Sequence, residues 1–147
     1  MSTTAEAQTT QVYELFIRAT PEQVWEGITN PAFIVRYFHG ARVELVDGRR
    51  RAYGPDGALW GDEAIIESDP PRRLVHGWRS LYDPEMATER TSRVTWEITP
   101  CENGVSRLTL THDELEGAPK TAASVGGAGW MFVLSGLKTL LETGESL

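Results

Sequence analysis

The chain has 147 residues, of which 40% are hydrophobic and 24% charged, with a formal net charge of −7. This length suits one domain with its own core, and the composition argues against wholesale disorder. The acidic balance disfavours nucleic acid and anionic membranes as partners. A single cysteine, Cys101, excludes an intrachain disulfide and a cysteine-based metal site.

The N-terminus predicts neither a secretory signal nor a folded element. Residues 1–9 are small and polar, without the basic and apolar regions of a signal peptide. No segment of the sequence reaches the roughly 20 apolar residues of a membrane span. We therefore expect a disordered tail over residues 1–9, a single domain over residues 10–147 and a cytoplasmic location.

The pattern after this tail predicts a strand followed by two short helices. Residues 11–18 alternate apolar and polar side chains, as a half-buried strand does. Thr20-Pro21-Glu22-Gln23 has the residue order of a capping box with proline at the first helical position. Asn30-Pro31 repeats the start signal for a second short helix, which carries the apolar residues of 33–38. His39-Gly40 should end that helix.

The middle of the chain predicts an antiparallel sheet in meander order. Asp47-Gly48 accepts the positive φ angles of a tight hairpin turn. The Arg49-Arg50-Arg51 run beside it has the character of a solvated hairpin turn. Residues 80–90 predict a longer loop. The clearest strands of this region are residues 59–67, 73–79, 93–99 and 105–112.

The last part of the chain predicts one long helix. Apolar residues keep helical spacing from Trp130 to Leu141, and Gly144 suits a left-handed C-terminal cap. We expect this helix to begin near Gly129-Trp130, and the small, glycine-rich residues 117–126 before it to form either a loop or an early helical turn. A sheet with only one helix of matching length bends around it. The predicted fold class is therefore α+β, a helix-grip fold in which six or seven curved antiparallel strands wrap around a C-terminal helix.

The inner face of the predicted sheet is unusually rich in rings. Strand alternation puts two histidines and two tryptophans on that face. Rings of this size are hard to pack to native density, which favours an apolar cavity for a small molecule between sheet and helix. A packed core, with each histidine hydrogen-bonded to a neighbour, is the alternative. The candidate ligand-binding residues are Trp25, Phe33, Tyr37, Phe38, Trp60, His76, Trp78, Trp96, His112, Trp130 and Leu134.

Chemistry at this cavity has less support in the sequence. His76 and His112 could supply two metal ligands, with Asp62 or Glu63 as a distant third, but no close-spaced ligand motif is present. We therefore predict no metal and no other cofactor. No serine-nucleophile motif occurs either. Acid–base work by a cavity histidine stays open as an alternative.

Several segments of the sequence resemble a known family. ATPEQVWE at residues 19–26, DPPRRLV at 69–75, and the predicted hairpin of 92–98 with 107–112 carry the resemblance, and the helix from 129 continues it. They are similar to the bacterial stand-alone relatives of the C-terminal domain of the Hsp90 ATPase activator. This Activator of Hsp90 ATPase homologue 1-like family belongs to the SRPBCC superfamily, also called START-like or Bet v 1-like. The resemblance spans roughly residues 11–144.

The resemblance implies a helix-grip fold whose hydrophobic cavity holds a lipid, polyketide-like or other apolar small molecule. It assigns no catalytic residue. Because some members of the superfamily are cyclases, aromatases or hydrolases, an enzyme using a cavity histidine is one alternative. A protein-interaction or chaperone-related module, as in a stress response, is another. We expect a monomer or a homodimer, with a hydrophobic small molecule as the partner.

Overall fold

The computed structural model describes residues 8–147. Residues 1–7 lie outside this range, so the disordered tail expected over residues 1–9 remains a prediction for those seven residues. The strands of the described part are β1 (Gln11–Ile17), β2 (Arg42–Val46), β3 (Arg49–Tyr53), β4 (Leu59–Asp69), β5 (Arg73–Trp78), β6 (Ser92–Pro100) and β7 (Ser106–Asp113). The helices are α1 (Pro21–Thr29), α2 (Pro31–Ile34), α3 (Pro119–Ser124) and α4 (Trp130–Thr143).

The strands form one antiparallel sheet in the order β1-β7-β6-β5-β4-β3-β2. The sheet curves around α4, and the core lies between its inner face and that helix. Leu108 and Leu110 of β7 and Leu137 of α4 are fully buried there. The prediction of a helix-grip fold with two short helices after the first strand is therefore confirmed.

The start of α1 is the predicted capping box. The Thr20 hydroxyl accepts a hydrogen bond from the Gln23 backbone N–H at 3.2 Å, and the Gln23 side chain accepts one from the Thr20 N–H at 2.8 Å. The second helix is shorter than expected, because α2 ends at Ile34 and the next residues continue as turns. His39 and Gly40 end these turns with φ angles of 55° and 71°.

The hairpin between β2 and β3 turns at Asp47 and Gly48, with φ angles of 55° and 72°, as predicted. The interpretation of the arginine run as a solvated turn was wrong. Residues 49–51 belong to β3, where successive side chains face opposite sides of the sheet. Arg50 is consequently turned inward and is only 8% exposed.

The long helix α4 begins at Trp130, as predicted. It is the last part of a longer helical region, which starts at Pro119 with α3 and continues through a π-helical segment over Val125–Gly129. The small residues before Trp130 show no apolar stripe, so periodicity missed this first part. The predicted cap at Gly144 is confirmed by a φ angle of 79° and a 2.8 Å hydrogen bond from its N–H to the Leu140 carbonyl.

Glycine at position 136 allows α4 to approach the segment that follows α2. A Cβ atom at Gly136 would lie 3.1 Å from the Cβ of Tyr37, closer than a comfortable packing contact. In the described range, no helix is both long and apolar enough to cross a membrane.

Candidate functional site

An open cleft with a volume of about 360 Å³ lies between the start of α4 and the sheet. We call this space the cleft. Most of its wall is apolar, and His39 and Ser124 are among its few polar groups. The lining residues are Phe38, His39, Trp60, Trp78, Tyr82, Ser124, Val125, Gly129, Trp130 and Val133.

Aromatic rings from separate elements meet in the walls of the cleft. The Trp78 ring of β5 lies 5.2 Å from the Trp130 ring of α4, measured between centroids. Phe38, from the turn after α2, lies 6.0 Å from Trp78 and 6.1 Å from Trp130. Trp60 of β4 and Tyr82 of the loop after β5 form another pair at 5.6 Å. Tilted and edge-to-face pairs at these distances are mutually attractive and hold the walls in place.

A smaller space of about 40 Å³ adjoins the cleft, and we call it the niche. Phe38, Trp60, Trp78 and Tyr82 line both spaces. Unlike the cleft, the niche is lined by charged residues of β3 and β4 and by Arg79, which follows β5. Its remaining lining residues are Ala41, Arg50, Ala52, Gly61, Asp62, Glu63, Gly77, Arg79 and Ser80.

Neither predicted cavity histidine lines the cleft or the niche. His76 is fully buried, and its Nε2 accepts a hydrogen bond from the Trp96 indole N–H at 3.0 Å. Its Nδ1 therefore carries the proton, which it donates to the Gly77 carbonyl at 2.8 Å. Both ring nitrogens are used within the core.

His112 is paired in the same way. Its Nδ1 accepts a hydrogen bond from the Trp130 indole N–H at 3.0 Å, so its Nε2 donates to the Ser92 hydroxyl at 2.7 Å. The Ser92 hydroxyl in turn donates to the Trp78 carbonyl at 3.2 Å. His112 is also fully buried. This is the arrangement expected for a packed core in which each histidine is hydrogen-bonded to its neighbours.

Both histidines are neutral at pH 7. Burial lowers the pKa of His112 to about 4. Burial, together with the nearby positive charge of Arg50, lowers the pKa of His76 well below its usual range. Since each ring already uses both nitrogens and neither lines the cleft, the histidines offer no acid or base to a molecule bound there.

Four of the eleven predicted site residues line the cleft: Phe38, Trp60, Trp78 and Trp130. Tyr37, Trp96 and Leu134 are buried in the core, and the Tyr37 hydroxyl donates to the Gly27 carbonyl at 2.8 Å. Trp25 and Phe33 are half-buried against the core, away from the cleft. Strand alternation predicts which face a side chain occupies but not how deep it lies.

The sequence did not single out six of the lining residues as site residues. Val133 lay in the predicted helical stripe, which marks packing and cleft walls alike. Tyr82 and the segment before Trp130 had no periodic signal, because loops and small residues carry none. The residues missed are His39, Tyr82, Ser124, Val125, Gly129 and Val133.

The family model described as Activator of Hsp90 ATPase homolog 1-like protein matches residues 18–142 of the chain. The chain belongs to this family. The resemblance predicted from the sequence is thereby confirmed. No functionally curated protein matches the chain.

Solved structures support the same fold. Protein MLL2253 from Mesorhizobium loti is 24% identical with a TM-score of 0.73, over 90% of this chain and 96% of that one. PFC0360w, an HSP90 activator from Plasmodium falciparum, is 18% identical with a TM-score of 0.73, over 91% and 96% of the two chains.

DynU16, a putative protein of the dynemicin biosynthetic locus, is 22% identical with a TM-score of 0.76. The match covers 95% of this chain but 49% of DynU16, so this chain spans about half of that protein. At these identities the three similarities show the fold alone.

Proposed function

We propose that this protein binds an apolar or aromatic small molecule in the cleft between the sheet and α4. The ring-lined wall of the cleft is the observation that carries the proposal. Small-molecule sites typically measure about 300–1,000 Å³ and combine apolar walls with a few polar groups. The cleft, at about 360 Å³, matches that description in size and in lining.

The pairing of both histidines favours binding over acid–base catalysis. Any reaction that used His76 or His112 would have to break hydrogen bonds to Trp96, Trp130, Gly77 or Ser92. Each broken bond would leave a buried polar group unpaired, at roughly 1–3 kcal/mol. A ligand carried without chemistry requires no such rearrangement.

The similar proteins point to two uses of this fold. DynU16 belongs to a biosynthetic locus, which agrees with handling of a small molecule, and PFC0360w is an HSP90 activator. The cleft favours the first use for this chain.

The neutral aromatic probe N-phenylnaphthylamine tests the proposal, because its emission rises in an apolar site. We expect saturable binding to the unmodified chain. At one hundred times Kd, binding to the native state alone adds about 2.7 kcal/mol of stability. For a chain of this size that corresponds to a rise in Tm of about 5–10 °C.

A matched pair of variants locates the binding site. Ser124 lines the cleft and its neighbour Ala123 does not, although both are exposed residues of α3. Ser124→Trp should place an indole in the cleft and weaken probe binding about tenfold or more, which corresponds to 1.4 kcal/mol. Ala123→Trp should leave affinity unchanged. Equal binding by both variants, or no saturable binding to the unmodified chain, would contradict the proposal.

A further inference from the structure

Arg50 is a buried cation that has no anionic partner among the residues that the structure describes. Its guanidinium forms no hydrogen bond or ion pair with any residue in the range 8–147, although the side chain is only 8% exposed. Its neighbours on β3 differ, since Arg49 and Arg51 lie 2.6 Å and 3.5 Å from the Asp62 carboxylate. Arg50 therefore lacks the carboxylate partner that Arg49 and Arg51 have.

Aromatic rings surround this cation without neutralising it. The Arg50 Cζ lies 5.4 Å from the ring centroids of both Phe38 and Trp78. Cation–π contacts of this length stabilise the charge. Burial lowers the pKa of Arg50 to about 10, so the guanidinium remains protonated at neutral pH. A full positive charge thus borders the niche, beneath rings that also line the cleft.

The nearby carboxylates are directed to other cations. Asp62 is held by Arg49 and Arg51, as above, and these contacts lower the pKa of its carboxyl. Glu63 is the cross-strand neighbour of Arg50, yet its carboxylate makes its ion pair with Arg79, at 3.9 Å. Neither carboxylate reaches ion-pair distance from Arg50.

Further donors beside the niche are also without acceptors. The indole N–H of Trp78 and the Nε–H of Arg79 are buried and have no hydrogen-bond partner within the described part of the chain. Buried donors are usually paired, and an unpaired one calls for an explanation. With Arg50, three residues that line one small space have unused donors.

We propose that the ligand of the cleft is an amphipathic anion, whose carboxylate or similar oxyanion binds Arg50 in the niche while its apolar body fills the cleft. This inference rests on the proposed function. The niche, at about 40 Å³, exceeds the roughly 10–15 Å³ that one water requires, so it admits a small head group and excludes a ring system. The rings shared by niche and cleft allow one molecule to contact both.

Two competitors of nearly equal shape separate charge from apolar contact. Naphthoate and naphthamide share one ring body and differ in the charge of the head group, and each can be titrated against bound N-phenylnaphthylamine. We expect naphthoate to displace the probe from the unmodified chain at a concentration about tenfold lower or more. The free energy of a hydrogen bond to a charged group is large enough to account for a tenfold difference in affinity.

Variants on β3 assign the preference to one side chain. Arg50→Met keeps the aliphatic stem and removes the charge, so it should abolish the preference for naphthoate over naphthamide, with both competitors titrated against N-phenylnaphthylamine bound to that same variant. Arg51→Met is the matched control and should retain the preference. Arg50→Lys keeps the cation and should retain part of the preference for naphthoate. If the Arg50→Met variant does not fold, Arg50→Lys is measured in its place.

The outcomes distinguish the two proposals. Probe binding without a preference for naphthoate, or a preference that survives Arg50→Met, overturns the anion inference and leaves the binding function standing. Absence of probe binding to the unmodified chain overturns the binding function and, with it, this inference. Loss of the preference in Arg50→Met but not in Arg51→Met supports both.

Discussion

Two polar regions lie side by side in this fold, and they differ in how their donors are paired. In the core, the rings of His76 and His112 use every nitrogen, with indole donors on one side and the Gly77 carbonyl or Ser92 hydroxyl on the other. In the niche, Arg50 has no hydrogen-bond acceptor among residues 8–147. Both regions are inward-facing and both adjoin the same aromatic walls.

The comparison separates residues that stabilise the fold from residues available to a ligand. Buried polar groups that satisfy one another hold neighbouring elements in register. Buried donors without acceptors lower stability, and a bound molecule can supply what they lack. In this protein, hydrogen-bond pairing indicates which residues a ligand can use better than residue type does. Residue type alone would favour the opposite assignment, because histidine is the usual catalytic candidate and arginine the usual surface residue.

The largest expected effect comes from exchanging a tryptophan in each region. Trp96→Ala should cost about 3–5 kcal/mol of unfolding free energy, because it empties a core position and leaves the His76 Nε2 unpaired. Trp60→Ala, at a half-buried cleft residue, should cost less stability but weaken N-phenylnaphthylamine binding about tenfold. Denaturant unfolding and probe titration measure the two effects. If Trp96→Ala weakened binding more than Trp60→Ala, the separation of the two regions would be lost.

The next effect is a pH dependence of stability. The native pKa of His112 is about 4 and the unfolded value about 6.5, so the unfolded chain binds the proton first as pH falls. The stabilisation is complete above about pH 6.5 and decreases towards pH 4, by about 3 kcal/mol for this histidine. His76 should add to the same trend, since its pKa is also lowered.

Urea unfolding at pH values between 5 and 7 measures this dependence. The window lies above the usual carboxylate pKa range, so the carboxylates contribute little to the slope. His112→Gln removes one titrating ring and should reduce the slope, and His39→Gln, at an exposed histidine, is the control. A slope that His112→Gln leaves unchanged would show that the buried histidines are not its source.

The smallest expected effect is on stability at Arg50. Arg50→Met should change the free energy of unfolding by no more than about 1 kcal/mol, in either direction, because the loss of cation–π contact is offset by the removal of an unpaired buried charge. Thermal unfolding without ligand measures it. A loss of several kcal/mol would mean that Arg50 stabilises the fold, as the histidine pairs do, and would weaken the contrast between the regions.

Local signals were sufficient to predict most of the fold. The capping box at Thr20, the turn at Asp47-Gly48 and the cap at Gly144 depend on a few neighbouring residues, whose side-chain and backbone preferences act over short distances. The helical region before Trp130 stayed open between loop and an early helical turn, because its small residues present no apolar stripe, although Pro119 stands at the first position of α3.

The site was less predictable. Alternation correctly placed His76 and His112 on the inner face, but whether an inward side chain reaches a cleft depends on what packs above it. Trp96 and Trp130 cover the two histidines, whereas Trp78 remains half-buried at the cleft wall. These contacts join residues far apart in the sequence, and no local pattern encodes them.

By itself, the sequence determined the helix-grip fold and the abundance of rings on the inner face, because strand and helix periodicities and turn residues are local properties. The family came from the resemblance of several segments to known relatives. Only the tertiary structure decided which inward groups are paired. Hydrogen bonds between distant strands and α4 satisfy the histidines, and the same packing leaves Arg50 buried beside the niche without an acceptor in the described part of the chain. Pairing depends on three-dimensional distance, which a period along the chain does not specify.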